Sequence, residues 1–143
     1  MSTNLFVTSV LRSVFEIFGI VFVRFQPVQR LWGFWLVGVN AASLLFINHI
    51  EAQVALGAVG VAVSIQALIY QRQRFVRLLG VTHILWVPML AWIAMRLDVL
   101  PPGEKWFHVW LITLIATNAA CLVIDAVDVT RFVRGERKPH YVW

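Results

Sequence analysis

The sequence predicts an all-α, polytopic membrane protein. Four antiparallel transmembrane helices are expected over 31–47, 52–71, 78–95 and 105–129, with an amphipathic N-terminal helix at 4–24 that either lies at the interface or spans as a fifth. Three observations carry this. The 143 residues are 60% hydrophobic and 13% charged, where a soluble domain carries about 25% charged residues. The apolar runs reach the roughly 18 residues that cross a bilayer. Basic residues collect at the ends of those runs. Residues 1–143 thus form a single integral membrane domain, with no room for a soluble catalytic module.

The last apolar run, Trp106 to Val129, organises the rest. Asn118, Cys121, Asp125 and Asp128 recur at three- and four-residue spacing, so on a helix they share one face. Carboxylates there are costly unless they meet protein, water or a partner. The other helices must supply an interior for that face.

In chain order, residues 4–24 place Asn4, Thr8, Ser9, Arg12, Ser13, Glu16 and Gly19 on one side and apolar residues on the other. The segment lies flat in the interface, or it spans with Arg12 and Glu16 hidden as an i,i+4 pair. Arg24 to Arg30 reads as a basic turn broken by Pro27. The 31–47 helix begins with the belt residues Trp32 and Trp35 and carries Asn40 and Ser43 near its middle. The connection 48–51 is so short that 52–71 must return beside it. Gly57, Gly60 and Ser64 form a small-residue stripe on that helix, a surface for close helix packing.

Arg72, Arg74 and Arg77 make a second basic turn. In 78–95, Pro88 removes a backbone hydrogen bond and is expected to kink the helix. The mid-segment Trp86 packs in the core or faces an apolar ligand. Pro101 and Pro102 stop that helix, and Gly103-Glu104 open the last one. A basic, aromatic tail follows over 130–143. Arg30-Leu-Trp-Gly33 also matches Arg77-Leu-Leu-Gly80 at an offset of 47, the trace either of a duplicated hairpin or of chance.

The net charge of +5 is a topology signal in such a chain. The 24–30 turn, the 72–77 turn and the tail hold nine of the twelve lysines and arginines, which puts them and the C-terminus in the cytoplasm. A bacterial inner membrane is the expected location. Arg72, Arg74, Arg77, Arg131, Arg134, Arg137 and Lys138 would meet anionic lipid or a partner. With no broad basic face and no reading module, nucleic acid is not an expected partner. Cys121, the sole cysteine, excludes an internal disulfide and reads as a small packing residue. No cleavage site follows the uncharged opening stretch, so no signal peptide is expected.

Depth follows from the arginine markers. His83, Asp125 and Gln66 each lie six residues from one, about 9 Å inside the cytoplasmic boundary at helical rise. Asn118 and Asn40 fall deeper. These five define a candidate intramembrane polar cluster, read either as an interhelical network or as a half-membrane proton or ion path. At the outer ends, His49, Glu51 and His108 make a candidate metal or haem set, set against a solvated polar rim. No cofactor is required by the sequence. No catalytic triad, phosphate loop or metalloprotease motif occurs, so an enzyme is not the favoured class.

Three classes of function remain. The first is a non-catalytic accessory or structural subunit of a larger membrane complex. The second is an oligomeric channel or transporter using the His/Asp/Asn stripe. The third is a cofactor-binding or lipid-modifying protein.

Overall fold

The computed structural model describes residues 3–74, 77–100 and 103–137, with side chains from residue 7 onward. Pro101, Pro102 and Lys138 lie outside them. The described chain is helical, without strands. Helix α1, Thr3–Gly19, runs on as a short π-helical stretch, Ile20–Arg24. Helix α2, Pro27–Ala41, tightens into a 3₁₀ segment, Ala42–Phe46. Helix α3 covers Ile50–Gln73. The next long helix is composite: a 3₁₀ segment Arg77–Leu85, then α4, Trp86–Arg96, then a 3₁₀ turn Leu97–Val99. Helix α5 covers Lys105–Val133.

Three of these, Ile50–Gln73, Arg77–Val99 and Lys105–Val133, are long and apolar enough to cross a membrane. They mark the chain as a membrane protein. The helix through 31–47 forms but is not among the three. Gln29, Arg30 and Asn40 interrupt its apolar run.

Local chemistry explains the ends. Pro27 does not break a turn, as expected from sequence, but opens α2 at its first position, where a missing N–H costs nothing. Arg74, with φ 63°, turns the chain sharply out of α3. Pro88 sits in the first turn of α4, immediately after the 3₁₀ segment. The lost backbone bond therefore falls at a change of helix type. Helix α5 runs four residues past its expected end and stops at Gly135, φ 105°. There the Gly135 N–H donates to Phe132 O and the Glu136 N–H to Arg131 O, both 3.0 Å, the pattern of a Schellman cap.

Helix α2 and the composite helix each pack on both α3 and α5, closing a four-membered ring. Its core includes Ile93, Phe107, Leu111, Leu114 and Trp86. The inward face of α3 is alanine, with Ala52, Ala55, Ala62 and Ala67 all buried. Gly57, Gly60 and Ser64 are exposed instead. A Cβ added at either glycine would meet nothing within 4 Å. The stripe therefore packs nothing in its own bundle.

Helix α1 packs on α3, while α2 packs on the π-helical stretch that follows α1. Tyr70 Oη donates to Glu16 at 2.9 Å, and Gln71 Nε2 to Ser9 Oγ at 3.5 Å. One end of α3 thus touches two sites on α1 that are seven residues apart, so α1 crosses that end rather than running alongside.

Candidate functional site

Four side chains converge between the composite helix, α3 and α5. His83 Nδ1 lies 2.7 Å from Asp125 Oδ2. Its other ring nitrogen, Nε2, lies 3.0 Å from Gln66 Nε2. The Cys121 thiol donates to Asp125 Oδ2 at 3.4 Å and lies 3.8 Å from His83 Nδ1. Amide nitrogen donates, so this arrangement makes Nε2 the acceptor and leaves the ring proton on Nδ1, facing the carboxylate. Trp86 covers the ring, with centroids 4.1 Å apart and planes at 25°. It is 3% exposed, which makes it a core residue.

The helix type builds this site. Residues three apart eclipse on a 3₁₀ helix, whereas on an α-helix they drift around the axis. Arg77, Gly80 and His83 therefore stack in one row along the 3₁₀ segment. That row meets Asp128, Asp125 and Cys121, which line one face of α5. Arg77 pairs with Asp128 and also reaches Glu136 at 3.6 Å. Gly80 faces Asp125 so closely that a Cβ there would lie 2.5 Å from Oδ1. Runs of 3₁₀ helix beyond three or four residues are uncommon; this one has nine.

Of the five expected cluster residues, His83, Asp125 and Gln66 come together in this site. Asn40 and Asn118 form a separate, closed pair. Each Nδ2 donates to the other's Oδ1, at 2.9 and 3.1 Å, and Asn40 Nδ2 also donates to Leu36 O. Nearby, the indole N–H of Trp35 donates to Thr117 Oγ1 and that of Trp110 to Val39 O. These bonds tie α2 to α5.

The outer set is dispersed. Glu51, 2% exposed, accepts from Arg96 Nε. His49 stacks on Phe107 and lies 3.2 Å from Glu104. His108 Nδ1 reaches the Glu104 carbonyl. Among the described residues, the His/Cys/Asp/Glu group tight enough to hold a metal is His83, Cys121 and Asp125. His49, Glu51 and His108 do not form such a group; the Glu51 carboxylate pairs with Arg96, and both histidines reach Glu104.

One more expectation is corrected. Asp128 pairs with Arg77. Arg77, with only 12% of its side chain exposed, is thereby withdrawn from the lipid face. Arg72, Arg74, Arg131, Arg134 and Arg137 are exposed, although Arg131 shares Glu136. Sequence reasoning missed Gly80 and Glu136 as members of this end of the bundle; Cys121, read as a small packing residue, is buried in the core and also touches His83 and Asp125. The three-residue spacing of Arg77, Gly80 and His83 was the available signal.

Fold and site together define an all-helical membrane protein whose apolar bundle interior holds polar side chains paired between helices. No protein family, curated protein or solved structure matches the chain.

Proposed function

We propose that the protein is a small, non-catalytic subunit that packs against another membrane chain through the outer face of α3. The carrying observation is the orientation of Gly57, Gly60 and Ser64. They point away from a bundle that already packs α3 through alanines. In lipid, where helices gain no hydrophobic drive from meeting each other, small residues let backbones approach. The interior supports a structural role, since Asn40/Asn118, Glu51/Arg96 and Arg77/Asp128 are paired between helices.

The topology proposed with it has four spans, the ring of α2, α3, the composite helix and α5. Helix α1 lies flat at the interface. In support, it crosses the end of α3, and its Arg12–Glu16 pair is exposed, with 81% of the Arg12 side chain free. The same reading has the C-terminus in the cytoplasm, the protein in a bacterial inner membrane and Arg72, Arg74 and Arg134 on anionic lipid; the excess of lysine and arginine at that end supports the orientation.

Native mass spectrometry of protein extracted from its own membrane tests the reading. A heteromeric mass that dissociates in Gly60→Leu, while the bundle stays folded, is the expected result. A monomer from gentle extraction overturns it. A second reading, an oligomeric proton or ion carrier, is favoured by the partly exposed His83–Asp125 pair between two helices. A homo-oligomer whose proton flux in liposomes is abolished by Asp125→Asn would establish that class instead.

A further inference from the structure

We infer that His83 Nδ1, Cys121 Sγ and Asp125 Oδ2 form a binding site for a divalent transition-metal ion, zinc above all. Zinc takes nitrogen, thiolate and carboxylate ligands at about 2.0–2.3 Å in a tetrahedron, whose edges are then about 3.3–3.6 Å. The Cys121–Asp125 separation is 3.4 Å and the Cys121–His83 separation 3.8 Å. The His83–Asp125 separation, 2.7 Å, is that of a hydrogen bond. It opens by about 0.6 Å when the metal replaces the shared proton. No backbone movement is needed at Cys121 and Asp125, which are already one turn apart on the same face of α5.

The donor set selects the ion. A thiolate and an imidazole favour zinc and its neighbours over magnesium or calcium, which take oxygen ligands. Charge selects its valence. One thiolate, one carboxylate and a neutral imidazole carry two negative charges, so a divalent ion leaves the site neutral. Neutrality matters inside an apolar bundle, where any net charge is costly.

The protons balance. On binding, the Cys121 thiol proton leaves to water. The His83 ring proton moves from Nδ1 to Nε2. Gln66 receives it there by turning its amide over, so that Oε1 accepts where Nε2 donated. One proton is released per ion. This is the usual support of a metal-bound histidine, whose second nitrogen donates to an outer acceptor.

The ring is otherwise held in place by Trp86. The Trp86 indole N–H is buried without an acceptor among the described residues. Three protein ligands leave a fourth position for water or another small donor.

The test uses the full chain in detergent, stripped with chelator and titrated with zinc and with cobalt as its coloured substitute. One equivalent of zinc, about one proton released, and a thiolate-to-cobalt charge-transfer band are expected. Cys121→Ser and His83→Gln should each weaken binding at least about tenfold, and Cys121→Ser should lose the band. His49→Gln with His108→Gln should change neither. Saturating cobalt without the band, or equal affinity in folded Cys121→Ser, overturns the site. The wild-type band needs no variant, so a misfolded Cys121→Ser does not blunt the test.

Discussion

A Cβ placed on Gly80 would lie 2.9 Å from both Cβ and Cγ of Asp125, and 2.5 Å from its Oδ1. Those atoms sit close to the α5 backbone, so they cannot swing aside as a long side chain would. Gly80→Ala must therefore push the 3₁₀ segment away from α5 and break the His83–Asp125 bond. A loss of about 1–3 kcal/mol is expected for such overpacking, measured by unfolding in detergent. Gly33→Ala is the control. Its Cβ would meet only Val21, chiefly one methyl at 2.5 Å, which a rotamer change relieves, so a smaller loss is expected. Equal losses would mean that Asp125 yields as easily as a methyl group.

This pair also shows where sequence reasoning stops. The helical class, three of the four expected long apolar helices and the common level of His83, Gln66 and Asp125 were legible, because apolar length shows in composition and each of the three residues lies six positions from an arginine. The azimuth was not. It depends on the 3₁₀ winding of Arg77–Leu85, which lines up Arg77, Gly80 and His83 and which no hydrophobic pattern records. Glycine looked like the packing residue of α3, yet alanine packs inward and the glycines face out. Both are small, and spacing alone does not say which stripe a neighbour covers. The cap at Gly135, which carries Glu136 to within reach of Arg77, lay in what read as a tail.

The reciprocal amides of Asn40 and Asn118 should behave as a unit. Asn118 is 0% exposed and Asn40 5%. Asn118→Leu leaves Asn40 Oδ1 without its donor, while Nδ2 keeps Leu36 O, at an expected cost of about 1–2 kcal/mol. Replacing both with leucine removes the unsatisfied group and should cost less than either single change. A double-mutant cycle by detergent unfolding checks this. Additive losses would mean that water or another group satisfies the lone amide.

Docking of α1 should depend on pH through Glu16. The Arg12 guanidinium, and then the Tyr70 hydroxyl, hold its carboxyl below the ordinary value of 4.5. A depressed carboxylate stabilises the folded state above its unfolded pKa, and that contribution is lost as pH falls through the folded pKa. The α1–α3 contact should therefore loosen below about pH 4.5. A spin label at Ser9 would report greater mobility there, and Glu16→Gln should remove the pH dependence. Ile17, Ile20, Tyr70 and Leu79 form a buried apolar cluster beside this pair, and a wild-type label indifferent to acid would show that it holds the helix without the carboxylate.

The Glu51–Arg96 pair should respond unequally to loss of its two halves. Glu51 is 2% exposed, while 37% of the Arg96 side chain reaches solvent. Arg96→Ala strands a buried carboxylate and also removes the guanidinium from the Trp92 ring, 5.0 Å away. A loss of about 3–5 kcal/mol is expected. Glu51→Gln leaves Arg96 able to turn to water and keeps the buried volume filled, so its loss should be clearly smaller. Replacing the pair together with leucine and methionine should recover part of the Arg96→Ala loss, since the desolvated charge is gone. Unfolding of the three variants in one detergent decides the matter. Equal losses from the two single changes would mean that water reaches Glu51 once Arg96 is removed, and that this end of the bundle opens more readily than its packing implies.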